Sequence, residues 1–351
     1  MSERDDFSEA TKKIIASRAG YLCSFLGCGQ LTLGPSNESS TSISKNGMAC
    51  HISAASPGRG SRRYNFEMSI EERTHANNGI WMCYDHGKLI DDDESRFTTD
   101  ILLKWKEIAE QTAKIMQERK CTYEDAISIY NFSNLITDKI SFNNLGHETE
   151  IIGNTLKDCC TEISWGKKSE NITRDYLIEL ARNAFIHGSA TEIELEILED
   201  KIILIDNGNE FNPKKLLESK KIRGGFIAAE TFQNNDCNLV ATYKRDYNKN
   251  IYSISKIRKA EDVESLTPCN LRITYDDFRK GTLDFSIFEH CNEIFVILPN
   301  FLTPSDIGLI INLRDELLKL EKQINIVYYD ISEHLVKWII DENPYWRIIK
   351  I

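Results

Sequence analysis

The stretch from Glu179 to Gly188 constrains this chain more than any other part of its sequence. It reads Glu-Leu-Ala-Arg-Asn-Ala-Phe-Ile-His-Gly and predicts a helix, with a strand following at residues 202–205. Glu179 and Asn183 are four residues apart, so a helix places both side chains on one face. An Asn amide there is suited to a magnesium ion that bridges phosphates, and a Glu one turn earlier is suited to orienting an attacking water.

An aspartate and three glycines follow this helix in an order that suits nucleotide binding. Asp206 comes directly after the predicted strand, where its carboxylate can accept a hydrogen bond from an amino group such as that of adenine. Gly208 stands two residues later, and Gly224 and Gly225 form a pair further along. Glycines at these positions allow the backbone to approach a nucleotide closely.

These residues resemble the GHKL ATPase superfamily, which includes gyrase-type ATPases, heat-shock chaperones, histidine kinases and anti-sigma-factor kinases. The resemblance covers roughly residues 140–280 and implies an α/β sandwich that binds ATP with Mg²⁺ or another divalent cation. It implies that Asn183 is the magnesium ligand, that Asp206 reads adenine, and that Gly224 and Gly225 belong to the phosphate lid. Relatives of this kind often form dimers, so a homodimer or a partner protein is expected.

The chain departs from that superfamily in two respects. The usual Asp-x-Gly-x-Gly is here Asp206-Asn-Gly208-Asn-Glu210, which lacks the second glycine, and the glycine lid is short. Both departures weaken the case for ATP hydrolysis, in which Glu179 would be catalytic, more than the case for ATP binding.

Four residues near the N-terminal end have the spacing of a structural zinc site. Cys23 and Cys28 form a C-x4-C knuckle across a glycine, and Cys83 and His86 form a C-x2-H pair. Tetrahedral zinc takes four cysteine or histidine ligands, commonly from two such knuckles. The alternative is a set of unrelated buried thiols with a surface histidine.

Between the two knuckles lie His51 and Asn78, and this order resembles the HNH, or ββα-metal, nuclease family. The match covers about residues 18–110. It implies that His51 is the general base acting on the water that attacks phosphorus, and that Asn78 holds the motif loop in shape. It also implies a nucleic-acid substrate, either DNA or RNA.

The nuclease family commonly ends its motif with Cys-x-x-Cys-His, and here the matching pair is His86-Gly87. Either His86 replaces the second zinc cysteine and the metal-binding histidine is lost, or His86 serves the catalytic metal and the zinc set is incomplete. His75 and Asp85 are further candidates for the catalytic cation. The alternative to a nuclease is a zinc-stapled module that recognises nucleic acid or protein without cutting it.

Composition limits the remaining possibilities. The net charge is −11, but residues 1–120 hold 16 basic and 17 acidic residues, so the acidity lies in the rest of the chain. Nucleic acid is therefore expected to contact the N-terminal part. Ten cysteines without a dense framework predict reduced thiols in a cytoplasmic protein, some of them metal ligands. No apolar run is long enough for a membrane span, and the polar start argues against a signal peptide.

We therefore predict a multidomain α+β protein. The segments are a zinc-stapled ββα-metal module (1–120), a linker (121–145), a GHKL-type ATP-binding α/β sandwich (146–282) and a small α/β unit that resembles a STAS domain (283–351). The predicted sandwich includes a hairpin from 238–243 and 250–256, and a further strand at 270–275.

The pairing of modules predicts an ATP-regulated HNH-type endonuclease that acts on nucleic acid, with a role in prokaryotic defence against phage. The alternative is a regulatory GHKL ATPase or protein serine kinase whose zinc module is catalytically dead and serves recognition.

Overall fold

The computed structural model describes residues 4–58, 60–130, 134–143, 146–214, 217, 224–281, 283–340 and 346–351. Over these residues the protein is a mixed α and β structure with several separate sheets, which confirms the predicted class at this level. The chain divides into two compact units. One comprises residues 1–174 and 194–199, and the other comprises residues 175–193 and 200–351.

The first unit contains short strands between helices. Its elements are α1 (Glu9–Arg18), β1 (Leu33–Pro35), β2 (Ile43–Lys45), β3 (Gly47–His51), α2 (Ile70–Thr74), β4 (Gly79–Cys83), α3 (Tyr84–Asp92), α4 (Thr99–Arg119), α5 (Tyr123–Ile129), β5 (Asp138–Phe142), α6 (Glu148–Asp158), α7 (Thr161–Trp165) and β6 (Ile193–Ile197). Helix α8 (Lys167–Ile186) begins in the first unit and ends in the second.

Polar residues fix where the helices of the first unit begin. The Ser8 hydroxyl accepts the backbone N–H of Thr11 at the start of α1, and Thr98 accepts the N–H of Ile101 at the start of α4. Such caps satisfy one of the N–H groups that a helix start leaves without a partner. Helix α4 ends at Lys120, whose φ of 52° breaks the helical path.

Strands β3 and β4 and helix α3 form a ββα arrangement around the predicted metal residues. The two strands pair antiparallel, with His51 opposite Gly79 and Gly47 opposite Cys83. All five residues of β4 are buried, and Trp81 within it packs against Ile15 of α1. Burial on both faces explains why β4 is a continuous apolar run with no polar alternation.

The segment predicted as a linker has regular structure. It contains α5 and β5, and β5 lies beside β6 in sheet order. The polarity of this segment therefore does not mark a structureless connection. The bounds of the four predicted segments stay predictions.

The second unit contains two sheets. Its further elements are β7 (Lys201–Asp206), α9 (Gly224–Gln233), β8 (Leu239–Asp246), β9 (Lys249–Lys256), α10 (Ala260–Leu266), β10 (Asn270–Arg272), α11 (Tyr275–Lys280), β11 (Glu293–Ile297), α12 (Ile307–Leu318), β12 (Gln323–Tyr328), α13 (Glu333–Ile340) and β13 (Arg347–Lys350).

The antiparallel strands of this unit follow the order β7-β9-β8. The predicted hairpin is confirmed as β8 and β9, which pair from Leu239 opposite Lys256 to Asp246 opposite Lys249. Tyr247 turns the chain between them with a φ of 48°. Strand β9 also pairs with β7, and this pairing places Asn250 opposite Asp206.

The C-terminal strands form a parallel sheet in the order β10-β11-β12-β13, which confirms the predicted parallel arrangement. The assignment of residues 270–275 to the α/β sandwich is wrong, because β10 pairs with β11 of this parallel sheet. Strand β10 is only three residues long, so its side-chain pattern carried too little information to choose a sheet.

Helices cover both faces of the parallel sheet. Side chains of α11, α12 and α13, among them Phe278, Ile310 and Val336, pack in one cluster with Ile326 of β12. Val263 of α10 packs in a second cluster with other side chains of the sheet. A parallel sheet is stable only when both of its faces are buried in this way.

Cys269 and Cys291 form a disulfide that joins the residues just before β10 and β11. The expectation that all ten cysteines are reduced is therefore wrong for these two, which approach each other only because β10 belongs to the parallel sheet. Within the described residues, no helix combines the length and the apolar character that crossing a membrane requires.

Candidate metal centre and candidate nucleotide pocket

Cys23, Cys28, Cys83 and His86 converge as the sequence predicts. Their ligand atoms all lie within 4.8 Å of one another. His86 Nδ1 lies 3.5 Å from Cys23 Sγ and 3.2 Å from Cys83 Sγ. A tetrahedral zinc ion bound at about 2.3 Å to sulfur and about 2.0 Å to nitrogen separates two such atoms by about 3.5 Å. The arrangement therefore fits one zinc ion with four protein ligands.

The surroundings of this cluster orient its ligands. Phe25 stacks on the His86 ring with a centroid distance of 3.8 Å, and the backbone N–H of Cys83 donates to Cys23 Sγ over 3.3 Å. Burial lowers the pKa of His86, so the ring is neutral and able to bind a metal. Burial raises the pKa of the Cys23 thiol, so metal binding must displace its proton. Four protein ligands leave no open position, which is typical of a structural zinc site.

A second group of possible ligands lies in the other unit. Cys269, His290 and Cys291 bring three ligand atoms within 4.8 Å of one another. The two sulfurs are bonded to each other as a disulfide, so only the reduced chain offers them to a metal. This group was not predicted from the sequence.

His51, the predicted general base, is held by the N-terminal segment. Its ring stacks on Phe7 with a centroid distance of 3.7 Å, and its Nε2 lies 3.2 Å from the backbone oxygen of Asp5. Asp5 in turn accepts a hydrogen bond from Arg73 over 2.7 Å. In the neutral tautomer that donates from Nε2, only Nδ1 can accept a proton. Burial lowers the pKa of His51, which favours this neutral form.

Gly87, at the position of the missing metal-binding histidine, is tightly packed. A Cβ atom there would lie 2.9 Å from the Met48 sulfur and 3.0 Å from the Cys50 sulfur, so a larger side chain does not fit without movement. Burial raises the pKa of the Cys50 thiol to about 12, so this neighbour is a neutral group. Among the described residues, His51 belongs to neither of the two groups in which three or more possible metal ligands converge.

The other residues considered for the catalytic cation have different surroundings. Nδ1 of His75 accepts the backbone N–H of Asn77 over 3.1 Å and so caps a turn. Asp85 is exposed on α3. His86 belongs to the first Cys/His cluster, which agrees with the reading that the metal-binding histidine is lost.

Asn78 is buried and clamps the loop before β4. Its Oδ1 accepts the N–H of Ser53 over 2.9 Å, and its Nδ2 donates to the backbone oxygens of Ser53 and Arg73 over 2.9 and 3.0 Å. The amide therefore ties the segment after β3 to the turn that enters β4. This is the shaping role that the family resemblance implies for Asn78.

Arg63 is a buried cation of the first unit with a structural position. Its side chain is 4% exposed, and its guanidinium donates to the backbone oxygens of Ile52 and Ile90 over 2.8 Å each. Nη2 also lies 3.4 Å from Asp91. This cation therefore supports the ββα arrangement from inside.

Asp206 is the centre of a buried polar network in the second unit. The residue is 1% exposed, and its Oδ1 accepts the N–H of Gly208 and the amide of Asn250, each over 2.8 Å. Its Oδ2 is buried and has no hydrogen-bond partner within the described part of the chain. The nearby Tyr252 hydroxyl donates to the backbone oxygen of Phe211 instead. Burial raises the pKa of Asp206.

Gly208 lies where two loops touch. A Cβ atom on it would approach Gly188 O to 2.8 Å and the Asp206 carboxylate to 3.0 Å. The next residue, Asn209, donates its N–H to the same Gly188 oxygen over 2.7 Å. The loop after β7 and the loop after α8 therefore meet beside Asp206, and only glycine allows this contact.

Glu179 and Asn183 lie on α8, four residues apart, so the predicted helix is confirmed. Glu179 Oε1 accepts from Arg182 over 3.0 Å, and a Cβ atom on Gly224 would lie 3.2 Å from Glu179 Oε2. Gly224 and Gly225 are the first described residues of α9. The preceding part of the predicted lid, including Arg223, lies outside the described residues. Glu179 therefore lies beside Gly224 of α9.

The sequence did not reveal three residues of the Asp206 network. Arg245 donates to Gly208 O and Asn250 Oδ1, each over 2.8 Å, and the Tyr243 hydroxyl donates to Asn250 Oδ1 over 3.0 Å. In the sequence Asn250 resembles an ordinary turn residue of the hairpin. The signal that could have identified it is its cross-strand position opposite Asp206, which requires the pairing of β7 with β9.

No protein-family model matches the chain, and no curated protein matches it either.

Removing one ligand of the first cluster should remove the zinc. We expect Cys83→Ser and His86→Ala to lower bound zinc from about one ion per chain to about one-tenth of that value, because three ligands hold the ion much less tightly. Metal analysis of the purified variants measures this directly. Cys121→Ser, a free thiol outside the cluster, is the matched control and should keep its zinc. Full zinc content in Cys83→Ser would contradict the assignment.

The clamp formed by Asn78 predicts a strong effect for a nearly isosteric change. Asn78→Asp replaces the donating amide by an acceptor that faces the oxygens of Ser53 and Arg73. We expect the free energy of unfolding to fall by about 2–4 kcal/mol, with a smaller loss at acidic pH, where a protonated carboxyl can donate. Denaturant unfolding measures the change. Asn77→Asp, at an exposed neighbour, should change stability by about 0.5 kcal/mol or less. Equal effects of the two changes would refute the clamp.

Proposed function

We propose that this protein is a nucleotide-binding regulatory protein whose ββα unit is a zinc-stapled recognition module. The nucleotide is of the ATP type and binds at Asp206. The recognition module contacts nucleic acid or protein and does not cut. This is the GHKL-type regulatory alternative derived from the sequence. One observation carries it above all others: Oδ2 of Asp206 is buried and has no hydrogen-bond partner among the described residues.

A buried acceptor without a hydrogen bond costs about 1–3 kcal/mol. At Asp206 the other carboxylate oxygen is fully engaged by Gly208 and Asn250, so the residue is held rigidly while Oδ2 remains available. A ligand amino group, such as that of adenine, would supply the missing donor. The glycine contact between Gly208 and Gly188 keeps side chains away from the same position.

Asn183 supports the phosphate side of this proposal. It lies on the same helix as Glu179 and is half-buried, and within the described residues its side-chain amide forms no hydrogen bond. An amide oxygen in that state can hold a divalent cation that neutralises phosphate oxygens. Gly224 of α9 lies close to Glu179, since a Cβ atom on it would be 3.2 Å from Glu179 Oε2.

The position of Glu179 favours binding over hydrolysis. Its Oε1 accepts a hydrogen bond from Arg182 over 3.0 Å, so this oxygen is already engaged within the protein. Glu210 replaces the second glycine of the usual motif and adds a negative charge near Asp206. We infer that slow turnover or none accompanies binding.

Two observations argue against cutting by the ββα unit. The Nε2 atom of His51 is engaged by the Asp5 carbonyl oxygen, and Phe7 covers one face of the ring. Gly87 packs against neighbouring sulfurs at the position where a catalytic-metal ligand is expected. A metal-assisted cut requires both a base and a cation at the scissile phosphate.

The second candidate is the ATP-regulated HNH-type endonuclease. Its support is the ββα arrangement itself, with His51 at the end of β3 and the Asn78 clamp behind it. In this candidate, displacement of the N-terminal segment would free Nε2 of His51 to accept the proton of the attacking water.

Asp206→Asn tests the nucleotide pocket with little disturbance of the fold. The new amide oxygen can still accept from Gly208 and Asn250, but its nitrogen presents a donor where the ligand also donates. We expect the Kd for ATP in the presence of Mg²⁺ to rise by about 10- to 100-fold. Isothermal titration calorimetry measures this on the full chain.

Two further variants locate the effect of that change. Asp246→Asn removes a carboxylate at the exposed end of β8 and should leave the Kd unchanged. Asn183→Ala should weaken Mg–ATP binding while leaving adenosine binding intact. Equal ATP affinity in Asp206→Asn and the unaltered chain would overturn the proposed pocket.

A plasmid-cutting assay separates the two candidate functions. The proposed function predicts intact plasmid with Mg²⁺ or Mn²⁺, with and without ATP. The endonuclease predicts cutting that is lost in His51→Ala. Its rate would rise with pH through the pKa of His51, which burial holds below the ordinary histidine value. Metal-dependent cutting that needs His51 would therefore replace the first candidate by the second.

A further inference from the structure

A cavity of about 550 Å³ opens at the carboxyl ends of the parallel strands. Its lining comes from the residues that directly follow β10, β11 and β12, and from the start of α10. Ile273 donates its N–H to Ile297 O, and Leu298 donates to Val327 O, so three strand ends finish in register beside one another. Open α/β sheets bind ligands outside this edge where their strand order reverses, whereas the order β10-β11-β12-β13 does not reverse, so the case for a site here depends on the lining itself.

The floor of the cavity is apolar, and its rim carries exposed aromatic rings. Ile273, Ile297 and Leu298 are buried beneath it. Phe301 is 66% exposed and Tyr329 is 59% exposed, although both line the cavity. Large exposed rings beside an apolar floor are suited to stacking on a planar ligand ring.

The charged side chains of the lining have a positive excess. Arg258, Lys259 and Arg272 are cationic, whereas Glu261 is the acidic side chain of the lining. Arg272 contacts Glu261 over 2.7 Å and Glu264, just outside the lining, over 3.1 Å. These two contacts hold its guanidinium at the cavity wall. A ligand that carries negative charge matches this lining better than a neutral one.

We propose that this cavity binds a nucleoside phosphate, with the base against Tyr329 and Phe301 and the phosphate near Arg258 and Lys259. The volume is within the range of small-molecule sites and accommodates a mononucleotide. The site uses none of the residues around Asp206, so it is independent of the function proposed above. The parallel sheet then carries a second nucleotide-binding site of the protein.

The experiment uses the full chain carrying Asp206→Asn, which is expected to weaken binding at the first pocket by about 10- to 100-fold. AMP, GMP, CMP and UMP are titrated by isothermal titration calorimetry, with inorganic phosphate and adenosine as partial ligands. We expect one site per chain for at least one nucleotide, and clearly weaker binding of phosphate or adenosine alone. If none of the four nucleotides binds, or if adenosine binds as tightly as AMP, the proposal is overturned.

Two variants test the two halves of the site. Tyr329→Ala removes the exposed ring, and the double change Arg258→Gln with Lys259→Gln removes two positive charges. Each should raise the Kd by about tenfold or more, since one stacked base contributes about 1–3 kcal/mol and a charge-assisted contact contributes a similar amount. Lys319→Gln, an exposed lysine on the same unit, is the matched control. A Kd that stays unchanged in either of the two variants overturns the proposal.

Discussion

The buried carboxylate of Asp206 is the interaction on which the centre of the second unit depends. One of its oxygens joins the loop after β7 to the start of β9, through Gly208 and Asn250. Arg245 then ties both of these residues together by donating to Gly208 O and Asn250 Oδ1. A carboxyl group placed this deeply is tolerated because sheet pairing fixes its partners, and within the described residues its second oxygen is buried without a hydrogen-bond donor.

The first unit depends on a different constraint. Two cysteine-bearing turns bring four possible metal ligands together, and a metal ion bound there would join the two turns. Two polar side chains support the same ββα arrangement without metal. Asn78 binds the loop before β4, and Arg63 fills the interior with a guanidinium bound to carbonyl oxygens. The residue that resembles a catalytic base, His51, therefore lies in a unit whose polar groups serve mainly to maintain shape.

The sequence predicted those parts of the sites that depend on short spacing. Glu179 and Asn183 share a helix because they are four residues apart, and the four possible metal ligands were found because each knuckle is local. Asn250 and Arg245 were missed because their role arises from a strand pairing that joins positions 44 residues apart for the Asn250–Asp206 hydrogen bond. The three residues of β10 were assigned to the wrong sheet because the strand is short and its pairing with β11 is not encoded locally. The packing of Gly87 against Met48 and Cys50 depends on how α3 meets β3, which no motif encodes.

In the parallel sheet, the amino ends of the strands differ from their carboxyl ends. Where its first strands begin, Cys269 and Cys291 are covalently joined, and Lys322 donates to the backbone oxygens of Phe288 and Glu289. Where the strands end, the connecting segments carry the exposed rings of Phe301 and Tyr329. Insertions or substitutions in the segment after Leu298 would therefore alter ligand binding. The disulfide and the Lys322 hydrogen bonds at the other end of the strands would keep the sheet intact. The parallel sheet and its helices are therefore a suitable scaffold for loop grafting. New binding specificities could be selected in the loops without redesigning the core.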